Sequence, residues 1–328
     1  MIRSLFYIPG KTIRTDIPPS EFPRLIRDRK GVLWVDFIGE TPEAAEPILR
    51  SFGFHPLAID DALQETHTPK VDDWGDHLYI VLNVLNYKQE NGTFKSEIDE
   101  LDVFLGKNYI ITHHDQLLPA VEDAWSACQR DNRRIQDGPD HLLYRIVDSL
   151  VMSYMPLIDQ VDAQVDQIED QVFDRPRKDT LENIFALKRL LLTMRRILLP
   201  QREVLNKLSR EDYRVIDPKD RVFFRDIYDH LVRLHDLNEN LRDLVSGVLD
   251  SYLSVTNNRM NEVMKTLTII TTLFMPITFV TGFFGMNFFE PVAHFLHWTS
   301  EQTFDIMLGI MVSLPIVMYL WMRRRTWV

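Results

Sequence analysis

Reading back from the end of a C-terminal apolar run, Gly282, Thr278, Met275, Thr271, Thr268, Met264, Asn261 and Asn257 recur at steps of four and three. That spacing keeps the eight residues on one face of a helix. The face is small, polar or flexible where a packing seam would carry Leu and Ile. Just beyond it stands Gly285-Met286-Asn287. Hydroxyl, amide and carbonyl oxygens are the ligands a hard cation such as Mg2+ takes, and that ion gives up its water reluctantly. A ring of Asn287 amide oxygens with nearby backbone carbonyls would hold a hydrated ion through its water shell, binding it without trapping it. Glu290, Glu301 and Asp305 near the same end would raise the local cation concentration. Two other roles stay open from the residues alone. Thr and Gly also let helices pack closely, and Asn also ends helices as a C-cap.

The elements that must position this face are membrane-length. Leu267 to Phe284 is eighteen residues without a charge, and Ile306 to Met322 is seventeen more. Each approaches the roughly 20 residues that cross a hydrocarbon core. Polar groups in such a span face protein or water rather than lipid. Two spans per chain cannot enclose a water path, so a polar face implies several copies around an axis. Lys265 precedes the first span and Arg323, Arg324 and Arg325 follow the second, while the connecting segment has no Lys or Arg. That asymmetry places both termini in the cytoplasm and the connection outside. The opening "MIRSLFYIPGKTIRTD" lacks the apolar core of a signal peptide, so the residues before the first span are expected to stay cytoplasmic.

Over all 328 residues 26% are Asp, Glu, Lys or Arg, with a net charge of -11, so the charge is concentrated outside the two apolar stretches. An acidic balance argues against a nucleic-acid surface and suits cations. Cys128 is the one cysteine, which excludes an intrachain disulfide and a cysteine-rich metal site. No phosphate loop, nucleophile elbow or zinc-ligand spacing appears, so no enzyme and no catalytic cofactor is expected. His113-His114 would point to opposite faces of a strand. His294 and His297 share a helical turn if that segment is helical and could then take a transition metal; interfacial residues are the plainer account.

The overall fold class is α+β. Residues 1–135 mix strand text ("GVLWVDFIG", "HLYIVLNVLNY", and a hairpin at Gly106-Lys107-Asn108) with a helix over "TPEAAEPILRSFG". Residues 136–215 carry two helices. Leu143, Val147, Leu150, Tyr154, Ile158, Val161, Val165, Ile168 and Val172 form one stripe along the first, beside the acids Asp159, Asp162, Asp166, Glu169, Asp170 and Asp174. The second, Asp179 to Leu208, carries Lys188, Arg189, Arg195, Arg196 and Arg202, which could pair with those acids. From Pro218 a single helix is expected through Phe284. The resulting division is a stalk over 216–266, a first span over 267–285, an external loop over 286–304, a second span over 305–322 and a basic tail over 323–328.

"NEVMKTLTIITTLFMPITFVTGFFGMNF" resembles the first transmembrane segment of the CorA family of divalent-cation channels, whose hallmark is Gly-Met-Asn at its outer end. "MPITF", "FFRDIYDH", "LVSGVLDSYLS", "HPLAIDDALQETHTPKVD" and the tail "RRRTWV" extend the resemblance over most of the chain. It implies a funnel-shaped homopentamer in the cell's inner or plasma membrane: an N-terminal α/β cytoplasmic domain, a long helical stalk and two transmembrane helices. Mg2+, and Co2+ with it, would be the substrate, and Mg2+ a candidate regulator. The partners would be other copies of the chain, the bilayer and divalent cations. By resemblance Asn287 forms the selectivity ring shaped by Gly285 and Met286. Asn261, Met264, Leu267, Met275 and Thr278 line the pore, with Thr271 on the same stripe, and Arg323 to Arg325 form a basic collar. An intersubunit regulatory metal site implies Asp226 and a second acid, but Lys88 stands near that second position, and Glu90, Asp99 or Glu100 would have to substitute. The alternatives are a Zn2+ transporter of the ZntB type and a membrane-anchored sensor that does not conduct.

Overall fold

The computed structural model describes residues 1–10, 13–64, 68–90, 93–131, 133–174, 178–286 and 301–325. They fall into two compact units, Met1–Ser251 and Tyr252–Val328.

The first unit is built on a seven-stranded sheet of order β2-β1-β3-β7-β6-β5-β4. Its strands are β1 (Ile2–Tyr7), β2 (Arg14–Thr15), β3 (Val32–Ile38), β4 (Lys70–Asp73), β5 (His77–Glu90), β6 (Thr93–Gly106) and β7 (Tyr109–His114). β3 and β7 run parallel, and the other pairs are antiparallel. β3 is buried along both faces, as a central strand must be, and is apolar or aromatic at every position but Asp36. The expected turn at Gly106-Lys107-Asn108 joins β6 to β7 with Asp102 opposite His113.

Side chains alternate across the sheet and select its covers. On one face Val35, Phe37, Tyr79, Phe104 and Ile111 pack against Phe22 of α1 (Phe22–Asp28), Leu49 of α2 (Pro42–Ser51) and Ile59 of α3 (Pro56–Leu63). Phe54 stacks on Phe104 with ring centroids 4.4 Å apart. Each such fully buried ring contributes about 1.5–3 kcal/mol. On the other face Trp34 meets Trp125 of α4 (Pro119–Arg130) edge-on at 4.8 Å. Beside it Asp36 accepts from Arg3 Nε at 2.8 Å and from the Thr112 hydroxyl, with His114 Nε2 at 3.1 Å. Arg3 also pairs with Glu122. Cys128 is buried on α4, the ordinary helix position expected of it.

A short turn of helix, α5 (Arg133–Gln136), leads to the long helices. The stripe from Leu143 to Val172 is divided between two helices, α6 (Pro139–Met152) and α7 (Tyr154–Asp174), with the break at Ser153. Pro156 is the physical reason: it has no N–H for the Met152 carbonyl, and its ring crowds that turn. α8 (Lys178–Arg210) packs its apolar side on α7 and on the β4–β6 edge. Among the described residues no ion pair joins Asp159, Asp162, Asp166, Glu169 or Asp170 to α8, and all five are exposed, so these acids do not pair with the basic face as expected. Arg195 of α8 instead faces Glu239 at 3.6 Å.

α9 (Arg221–Phe284) is one 64-residue helix. It begins at Arg221, three residues after Pro218, because Asp217 through Asp220 form a turn. The Asp217 carboxylate accepts the Lys219 amide at 3.1 Å, and the Asp220 carbonyl receives the Phe223 amide at 3.0 Å. Within the first unit Phe224, Ile227, Leu231, Leu234, Leu241, Val245 and Val248 are buried at steps of three, four and seven. In the second unit the C-terminal part of α9 and α10 (Glu301–Arg324) are the described elements.

Candidate functional site

α9 and α10 each contain a stretch long and apolar enough to cross a membrane, and neither stretch is buried within the single chain. Both keep a proline inside the helix, Pro276 and Pro315. A proline removes one helical hydrogen bond, a loss that membrane helices absorb through neighbouring groups.

The six candidate lining residues on α9 are all exposed: Asn261, Met264, Leu267, Thr271, Met275 and Thr278. At 3.6 residues per turn they occupy an arc of roughly 120°. Met275 is 66% exposed and Leu267 59%. The threonines settle their donors internally. Thr271 Oγ1 donates to the Leu267 carbonyl at 2.9 Å and Thr278 Oγ1 to the Phe274 carbonyl at 3.0 Å. Thr268 does the same toward Met264 at 2.7 Å. A hydroxyl has one proton and two lone pairs. With the proton committed to the backbone, the oxygen turns its lone pairs away from the helix. These threonine hydroxyls therefore accept hydrogen bonds and donate none outward, which suits the water shell of a cation. Two thioethers beside it are apolar and conformationally adaptable.

α9 ends at Phe284, and Gly285 closes it through its amide to the Thr281 carbonyl at 2.9 Å, followed by Met286 to Phe283 at 3.3 Å. A Cβ on residue 285 would lie 2.9 Å from the Thr281 carbonyl oxygen, a backbone atom that cannot move aside cheaply. Glycine is therefore required for this exit from the helix. Asn287, Glu290, His294 and His297 lie outside the described residues, as does the side chain of Glu301. Asp305 is exposed on α10, and Arg323, Arg324 and Arg325 are exposed at its far end.

Asp226 is exposed on the first-unit part of α9. α6 brings Asp148 into its field. Burial pushes the Asp148 carboxyl up from its ordinary value, His230 pulls it down, and the charge of Asp226 pushes it further up. His230 lies one turn beyond Asp226, and its Nδ1 is buried without a hydrogen-bond partner. Sequence reasoning missed Asp148, although an acid between the stripe residues Val147 and Leu150 was its signal. Lys88 is exposed on β5, in register with Lys95. Of the substitutes, Asp99 accepts from Asn86, Glu100 is half-buried on β6, and the Glu90 side chain lies outside the described residues.

The chain matches the family described as "CorA-like Mg2+ transporter protein" over residues 29–324. It is 34% identical over 305 residues to the cobalt/magnesium transport protein CorA of Thermotoga maritima, covering 92% of this chain and 85% of that one. The putative metal ion transporter YfjQ of Bacillus subtilis is 36% identical over 300 residues, 90% of this chain and 89% of the relative. The zinc transport protein ZntB of Yersinia pestis is 24% identical over 296 residues, 90% and 87%. Among solved structures, the complete CorA magnesium transporter from Methanocaldococcus jannaschii superposes with a TM-score of 0.80 at 21% identity, covering 99% of this chain and 98% of that one. The mixed sheet, the long helix and the two apolar C-terminal helices thus recur in one known fold. A match through nearly the whole chain, joined to the apolar helix pair and the Gly285 helix exit, leads to one conclusion: this chain belongs to the CorA-like Mg2+ transporter family.

Proposed function

We propose that this chain is a divalent-cation channel that carries Mg2+, and Co2+ with it, inward through a pore formed by five copies in the inner or plasma membrane. The observation that carries this reading is the exposed α9 face, where back-bonded threonines and methionines stand in a stretch of membrane character. One chain leaves that face uncovered, and copies around an axis would turn it to a shared water path. Asn287 then forms the outer ring, set by Gly285 and Met286. Asn261, Thr271 and Thr278 offer oxygens along the path, while Met264, Leu267 and Met275 form a constriction that closes by excluding water. Arg323, Arg324 and Arg325 collar the inner end, with both termini cytoplasmic. Mg2+ is cargo, and no catalytic cofactor, enzymatic step or nucleic acid is involved.

Asp226 with Asp148 is the regulatory reading. The charge of Asp226 raises the proton affinity of Asp148, and a divalent ion between two such carboxylates would relieve that repulsion. Lys88 is left outside that pair. A second reading, Zn2+ transport, is favoured by the ZntB relatives.

Proteoliposomes containing the full chain test both. Mg2+, Co2+ and Zn2+ uptake are measured side by side, with and without a proton gradient, for the wild type and Asn287→Ala. Uptake of Mg2+ and Co2+ that falls to background in the variant supports the reading. Undiminished uptake in the variant removes Asn287 from the filter, Zn2+-restricted uptake selects the second reading, and no uptake of any ion leaves a non-conducting sensor.

A further inference from the structure

The first unit contains a polar cavity of about 240 Å³ between the end of α3 and the β6–β7 edge, away from α9. Gln64, Asp99, Glu100, Asp102, His113 and Asp115 are among its lining residues. His113 is only 6% exposed, and neither of its ring nitrogens makes a hydrogen bond. A buried polar group left this way costs roughly 1–3 kcal/mol. The group opposite it in the sheet register is Asp102, 2% exposed, whose Oδ2 is 3.6 Å from His113 Nδ1. That is too long for a hydrogen bond. Two ligands each about 2.1 Å from one tetrahedral Zn2+ or Co2+ stand roughly 3.4 Å apart.

The carboxylate is also held in place. The Tyr79 hydroxyl donates to Asp102 Oδ1 at 2.6 Å, which turns Oδ2 toward the imidazole. This is the outer-sphere support that ligating carboxylates have in metal sites. Glu100, two residues along β6 on the same face, brings a second carboxylate to the cavity.

We propose that His113 and Asp102 form a cation site in the first unit that takes a borderline divalent ion, Co2+ or Zn2+, in preference to Mg2+. An imidazole nitrogen selects against Mg2+, which favours oxygen and octahedral geometry. Among the described residues no three His, Cys, Asp or Glu side chains converge on one point, so water completes the coordination. The surrounding acids concentrate cations at the mouth. The site does not depend on the pore reading, because binding to the protein is what reports it.

The test is titration of the full chain in detergent with Co2+ alone, followed by visible absorption. The expected result is one equivalent with the strong bands of a nitrogen-containing tetrahedral site, persisting in a hundredfold excess of Mg2+. His113→Gln abolishes those bands, and Tyr79→Phe weakens binding roughly 10- to 100-fold. Asp159→Ala, at an exposed acid of α7, leaves them unchanged. Only weak octahedral absorption in the wild type, displacement by Mg2+, or bands that survive in His113→Gln each overturns the proposal. The first two outcomes are read on the wild type and do not depend on a variant folding.

Discussion

Thr278→Val tests the pore reading at its most local point. Thr278 donates its one proton to the Phe274 carbonyl at 3.0 Å, and its side chain is exposed. Valine keeps the branched shape and the helix ladder, so the helix itself loses at most about 0.5 kcal/mol. What disappears is an acceptor oxygen from each copy. A net hydrogen bond to water contributes about 0.5–1.5 kcal/mol. If a passing hydrated ion uses two or three oxygens of a five-membered ring, the barrier rises by about 1.5–3 kcal/mol, or roughly 10- to 150-fold in flux. The assay is Mg2+ entry into proteoliposomes holding a Mg2+-sensitive dye, normalised to inserted protein. Thr266→Val is the control: its hydroxyl is bonded in the same way, to the Glu262 carbonyl at 2.9 Å. It points about 120° away around the helix. Flux in Thr278→Val within twofold of wild type, or an equal loss in Thr266→Val, would refute the argument that this face lines the path.

Gly285→Ala forces a Cβ to 2.9 Å from the Thr281 carbonyl oxygen, and the helix exit must shift at a cost of about 1–3 kcal/mol; flux should fall steeply while circular dichroism of the helices is unchanged. Asp226→Ala, and separately Asp148→Asn, should relieve inhibition by millimolar Mg2+ on the cytoplasmic side, measured as flux against internal Mg2+. Asp36→Asn leaves the buried Arg3 to its remaining ion pair with Glu122 and should destabilise the first unit by about 1–3 kcal/mol, read as a lowered melting temperature. Burial works to raise the Asp36 carboxyl, yet hydrogen bonds from His114 and Thr112 and the charges of His114 and Arg3 hold it below its ordinary value. A folded value below the unfolded one adds stability that is present above the unfolded value and lost as pH falls through the folded one. Wild-type stability should therefore drop below about pH 4, and the variant should show a flatter profile there.

Local signals were legible where one residue type carries one physical meaning. Charge-free length located the apolar stretches of α9 and α10. Steps of three and four put the threonines and methionines on one face before any coordinates, because helical periodicity alone decides which side chains share a side. The β6–β7 turn followed from Gly106-Lys107-Asn108. Pro156 was ambiguous, because Pro200, Pro276 and Pro315 stand inside continuous helices. The start of α9 was misplaced by three residues because Pro218 is a common first helical residue, while the side-chain bond from Asp217 held those residues in a turn.

The amino-acid sequence by itself determined the family, the two apolar helices and the polar face, all properties of neighbouring residues along one chain. Only the tertiary structure decided which distant charges meet. Asp148 approaches Asp226 because α6 packs beside α9, and Asp102 faces His113 because the β6–β7 register sets them opposite. Asp36 gathers Arg3 from β1 and Thr112 and His114 from β7. Those encounters depend on register and packing across the fold, where a shift of one residue would turn each side chain to the other face.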